Sequence, residues 1–130
     1  MRSVVSVLLL VLLPIGCSDL GPSDINGKWA RDLSQVESSW EINLRVSGST
    51  VSGTGSWYGE ACCSGDLSAT GSVSGLAVHL DIASTRSFPP GPVAISHFDG
   101  KLVTSKLLQG TIRYDQDPPS EGTSFILHRQ

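Results

Sequence analysis

Two triplets of the form His-x-Asp, His79-Leu80-Asp81 and His97-Phe98-Asp99, carry the residue types best suited to holding a cation in this 130-residue chain. On an extended strand, residues i and i+2 share a face. The imidazole and carboxylate of one triplet can therefore approach a single metal. Protein metal sites use three or four ligands, so one triplet alone falls short. His79 and Asp81 alternate with apolar Leu80 and Ile82, which places them on the outward face. The reading is exposed polar residues on a solvated sheet, as for His128, with no metal and no cofactor assigned. Cys62-Cys63 is the other unusual feature. Neighbouring Cα atoms lie about 3.8 Å apart across a trans peptide, short of the roughly 4.4–6.8 Å usual in disulfides. Three readings stay open: a strained vicinal disulfide, an intermolecular or redox-labile pair, or two reduced thiols. No catalytic motif appears. Gly71-Ser72-Val73-Ser74-Gly75 has Val where a nucleophile elbow needs Ser. Neither H-E-x-x-H nor G-x-x-x-x-G-K occurs. The expectation is a non-catalytic protein.

The elements that must position these residues begin with an address. Arg2 precedes an apolar run over 4–13 broken only by Ser6. Ten residues make a helix of about 15 Å, too short to span a bilayer core of roughly 30 Å. Length and flanks fit a secretory signal. The string Leu13-Pro14-Ile15-Gly16-Cys17 resembles a bacterial lipobox, with Pro14 standing where that motif usually has Leu. The resemblance implies cleavage before Cys17 and diacylglycerol on its thiol. The alternative is an ordinary signal peptide with Cys17 incidental. The expected organisation is a signal peptide over 1–16, a lipidated tether over 17–24 and one domain over 25–130. Ser18 after the cysteine implies, by resemblance to enterobacterial sorting, the outer membrane, facing the periplasm. The partner expected first is thus a membrane, reached through the N-terminal lipid.

The body reads as short strands. Trp40, Ile42, Leu44 and Val46 alternate with Glu41, Asn43 and Arg45, the period-two pattern of a half-buried strand. Similar patterns place eight strands over 25–31, 40–46, 51–57, 67–73, 76–82, 93–103, 107–114 and 123–129, with a two-residue turn at Ser74-Gly75. Only 32–37 offers a helical turn, through Leu33 and Val36. Glycine recurs inside or beside these strands, as at Gly53, Gly55, Gly71, Gly100 and Gly110. Repeated strand glycines let a sheet curve sharply enough to close, and closure removes exposed edges. The fold class is all-β: a small eight-stranded antiparallel up-and-down barrel, with an open sandwich as the alternative.

Gly27-Lys28-Trp29 resembles the Gly-x-Trp opening of lipocalin-like and avidin-like barrels, the calycins. The resemblance implies that Trp29 plugs one barrel end beside Gly27, with Arg129, or else Arg113, lying over the indole. It also implies a small amphipathic ligand at the opposite end, where Trp40, Trp57 and Phe88 are the candidate contacts. The glycines on the inner face leave either a hollow beside the indoles or room for them. The competing expectation is therefore a filled barrel acting as a structural or protein-interaction lipoprotein. Nine Lys and Arg against twelve Asp and Glu give a net charge of −3. That argues against nucleic acid, whose binders present a basic face.

Overall fold

The computed structural model describes residues 19–31, 38–59, 63–115, 118 and 121–130. The signal segment over 1–16, Cys17, Cys62 and the turn expected over 32–37 lie outside them. Eight strands follow one another as β1 (Gly27–Arg31), β2 (Ser38–Ser47), β3 (Thr50–Gly59), β4 (Ser64–Ser74), β5 (Ala77–Arg86), β6 (Gly91–Thr104), β7 (Leu107–Tyr114) and β8 (Thr123–Arg129). Each pairs antiparallel with its neighbours in sequence, and β1 also pairs with β8 through Trp29 opposite Arg129. The sheet is a closed barrel. The open sandwich is excluded.

The two ends differ in their connections. At one end, two-residue loops join β2 to β3, β4 to β5 and β6 to β7. Gly48 and Gly75 open the first two with φ of 60° and 59°, the left-handed value that a type II′ hairpin demands at its first central residue. At the other end β1, β3, β5 and β7 finish and β2, β4, β6 and β8 begin, with more residues between each pair. We call these the closed and the open end. The tight turn expected at Ser74-Gly75 sits one residue later. Ser74 still pairs with Ala77, so Leu76 is a turn residue packed partly against the core rather than the first residue of β5.

The closed end holds a second departure from expectation. Residues 22–25 are a 3-10 turn, Pro22–Ile25, and not the end of an extended tether or the start of β1. Pro22 suits a first helical position because its missing N–H costs nothing there. Asp24 ties the turn by accepting from the Gly21 amide at 2.8 Å. Ile25 is fully buried, and Leu20 packs against the same core.

Alternation decides the interior. Ile42, Leu44, Val51, Leu67, Val73, Val78, Leu80, Ile82, Leu102, Leu108, Ile112 and Leu127 are buried. Their neighbours Glu41, Asn43, Ser52, Thr70, Asp81 and Lys101 face outward. Aromatic rings pack together inside the barrel: Trp40 meets Phe125 edge-on at 5.3 Å between centroids, and Phe98 meets Phe125 at 6.0 Å. Gly100 leaves room for one of them, since a Cβ there would lie 2.5 Å from Phe98 Cζ. At Gly71, any Cβ would strike the carbonyl oxygen of His79 on β5. A side chain at this position therefore requires the two backbones to move apart.

Candidate functional site

Both His-x-Asp triplets lie on neighbouring strands of the outer wall. Because β5 and β6 run antiparallel, His79 opposes Asp99 and Asp81 opposes His97. Two like-ordered triplets thus form a checkerboard in which every cross-strand neighbour has the opposite charge type. Cross-strand side chains of opposite charge stabilise one another. His79 Nδ1 lies 2.6 Å from Asp99 Oδ1, and His79 Nε2 3.1 Å from Asp81 Oδ1. His97 Nδ1 lies 2.6 Å from the same Asp81 oxygen, and His97 Nε2 2.9 Å from Asp115 Oδ1. The rings stack at 12° with centroids 6.4 Å apart. Five side chains thereby make one chain of contacts, from Asp99 through His79, Asp81 and His97 to Asp115.

The electrostatics follow the contacts. The hydrogen bond to Asp99 raises the pKa of His79 above its ordinary value, against the opposing effect of burial. Hydrogen bonds to Asp81 and then Asp115 raise that of His97. The bond from His97 holds Asp81 below the usual carboxylate range. Arg113 stands opposite His97 on β7, on the outer wall. It is therefore not placed to cover Trp29. By sequence alone the triplets read as exposed polar residues and Asp115 carries no signal; the exit of β7 brings it to the end of the row. The repeated triplet was the available signal, since two copies on adjacent antiparallel strands can interleave.

The closed end is built around Arg129. Its guanidinium lies 4.6 Å from the Trp29 ring centroid. It donates to the carbonyl oxygens of Asn26 at 2.6 Å, of Ser105 at 2.7 Å, and of Asp24. Trp29 Nε1 in turn donates to Ile25 O at 2.8 Å. Gly27 has φ of 128°, and a Cβ there would lie 2.6 Å from Arg129 Nη1. One cation thus joins the 3-10 turn, the plug and the β6–β7 hairpin.

At the open end, Arg31 points inward and lies 4.5 Å over Phe125. Burial lowers the pKa of its guanidinium and the nearby Tyr114 works the other way, but arginine remains charged. Trp40 and Trp57 are register partners. Trp57 is partly buried, and its indole N–H donates to Thr85 O at 2.9 Å. Both tryptophans border a shallow depression of about 540 Å3 on the open-end half of β1–β4, whose other walls include Arg31, Glu41, Tyr58, Asp66 and Ser87. Glu41, Tyr58 and Asp66 are outward residues, so the depression lies on the wall and rim and not along the barrel axis.

Phe88 is not among its walls. It stands 71% exposed in the β5–β6 connection, bridged to Ser64 by backbone hydrogen bonds of 3.2 and 3.3 Å. Cys63 beside it is disulfide-bonded and accepts from Arg86 Nη2 at 2.9 Å. The other two cysteines, Cys17 and Cys62, lie outside the described residues. No protein-family model matches this chain, and a search of curated proteins finds no match.

Proposed function

We propose that this chain is a lipid-anchored cell-envelope protein whose barrel is a filled, non-catalytic platform that meets a partner through its open rim and outer wall. The observation that carries the reading is the packing of Trp40, Phe98 and Phe125 against one another inside the barrel, under Arg31 at the open end. Small-molecule pockets are concave and largely apolar, and these rings take up the space such a pocket would need. The lipobox-like string supplies the anchor at Cys17. Leu20 already packs on the closed end, and three residue steps reach at most about 11 Å. A lipid on Cys17 therefore sets the closed end against the bilayer and turns the open rim outward. Phe88 and Tyr58, 71% and 60% exposed, stand on that rim. Ser18 favours the outer membrane, with the barrel in the periplasm.

A second reading has one observation in its favour. The depression of about 540 Å3 beside Trp57 and Tyr58 is large enough for a small amphipathic ligand bound at the rim. Titrating the protein with a long-chain fatty acid while following tryptophan emission separates the two readings. The platform reading expects no saturable change. A saturable change at one ligand per chain overturns it in favour of ligand binding. Metabolic labelling with an alkyne fatty acid tests the anchor: incorporation that disappears in Cys17→Ser supports it, and no incorporation removes it.

A further inference from the structure

We propose that His79 Nε2, His97 Nδ1 and the Asp81 carboxylate form a binding site for a divalent transition cation of the zinc type, with Asp99 and Asp115 orienting the two imidazoles from behind.

The arrangement of nitrogens leads to this site. Each ring turns one nitrogen inward to Asp81 and the other outward to its own carboxylate, His79 to Asp99 and His97 to Asp115. Metal-binding histidines show this pattern: the far N–H donates to a carboxylate, which fixes the tautomer and aims the near lone pair at the ion. Here both histidines have such a carboxylate in place, and both near nitrogens converge on one Asp81 oxygen. The three ligand atoms lie within 4.8 Å of one another. Donors around a tetrahedral zinc with bonds of about 2.0–2.2 Å are roughly 3.3 Å apart, so small rotations of exposed side chains close the site. Strand pairing holds the Cα positions, because His97 and Asp81 are direct register partners and His79 is two residues from Asp81 on the same strand.

The donor chemistry favours zinc-type ions over calcium or magnesium. Two imidazoles and one carboxylate suit borderline cations, whereas the hard cations take mostly oxygen. Three carboxylates around two rings supply negative charge, opposed by Arg113 across β7. Binding replaces the protons shared between Asp81 and the two near nitrogens and leaves the outer hydrogen bonds in place. Three protein ligands on an exposed wall leave a fourth position open to water or to a side chain of another molecule.

The test uses the untagged full chain and zinc alone. Equilibrium dialysis is expected to give one zinc per chain. Asp81→Asn and His97→Gln should each weaken binding at least tenfold, Asp99→Asn by about 10–100-fold through the ring it orients, and His128→Gln not at all. Far-UV circular dichroism checks that each variant keeps its β-structure. If a variant fails to fold, histidine ring resonances of the unaltered protein decide: those of His79 and His97 shift with zinc and that of His128 does not. Absence of binding overturns the proposal, as does binding by Asp81→Asn and His97→Gln undiminished from that of the unaltered protein. A cobalt derivative with thiolate charge-transfer bands would place the metal on cysteine and overturn it too.

Discussion

Arg31 on β1 lies 4.5 Å over the ring of Phe125 on β8, two strands that touch only because the barrel closes. It is the open-end counterpart of Arg129 over Trp29 at the other end. A guanidinium over an aromatic face caps each end of the core, and the apolar contents lie between. Each cap joins the first strand to the last, so the caps report directly on closure.

Removing the open-end cap should therefore loosen the barrel where it closes. Arg31→Ala is expected to cost about 1–2 kcal/mol, from the lost cation–π contact and the exposure of Phe125. Arg31→Lys should recover part of it. Urea denaturation of the three proteins measures the differences, and equal midpoints would show the contact to be incidental.

The closed-end cap does more, since Arg129 also serves three backbone carbonyls. Hydrogen bonds from charged donors contribute about 1.5–3 kcal/mol each, with losses that overlap when one side chain makes several. Arg129→Met should cost at least about 3 kcal/mol. Gly27→Ala should be nearly as harmful, through its φ of 128° and a Cβ pressed against Arg129. Thermal melts of both variants check this.

Strand glycines give a sharper contrast. Gly71→Ala drives a methyl group into the His79 carbonyl and should cost about 1–3 kcal/mol, the range for overpacking. Gly21→Ala, with nothing within 4 Å of its Cβ, should be neutral. The pair of melting temperatures separates a close-approach glycine from a permissive one.

The histidine row makes stability depend on pH in chelator-treated protein. His79 and His97 titrate above their ordinary value in the folded chain because Asp99, Asp81 and Asp115 accept from their rings, with Arg113 as the cation opposite. A raised folded pKa contributes stability that is fully present below the unfolded value of 6.5 and fades as pH rises through the folded values. Asp81 is depressed, so its contribution is present above 3.8 and lost on further acidification. Stability should thus decline from pH 6 towards alkaline pH, and a His79→Gln, His97→Gln double variant should flatten that decline. An unchanged slope in the double variant would remove the row as its source.

Much of this architecture is legible in the residue pattern. Trp40, Ile42, Leu44 and Val46 declare their face by strict alternation. Gly75 marks a turn, but counting outward from the expected Ser74-Gly75 loop misses the register by one, because the structure pairs Ser74 with Ala77. The pairing of Trp29 with Arg129 rests on a resemblance, since no local rule brings positions a hundred residues apart together. Pro22 is a helix-start signal, but four residues are too few for any periodicity. The His/Asp row needed the β5–β6 register, and those strands are joined by the longer Ser87–Pro90 connection, across which register cannot be counted. Arg31 over Phe125 was not legible, because an inward arginine breaks the alternation that identifies strands and makes sense only once β8 lies beside β1.

The filled interior is the central claim, and ligand-detected NMR with benzene tests it most directly. Phe125→Ala removes the ring that Trp40, Phe98 and Arg31 all touch, at a cost of about 3–5 kcal/mol. Apolar cavities left by such truncations stay dry and bind small apolar molecules. The account predicts saturable benzene binding by Phe125→Ala and none by the unaltered protein. Saturable binding by the unaltered protein, displaced by a fatty acid, would contradict it.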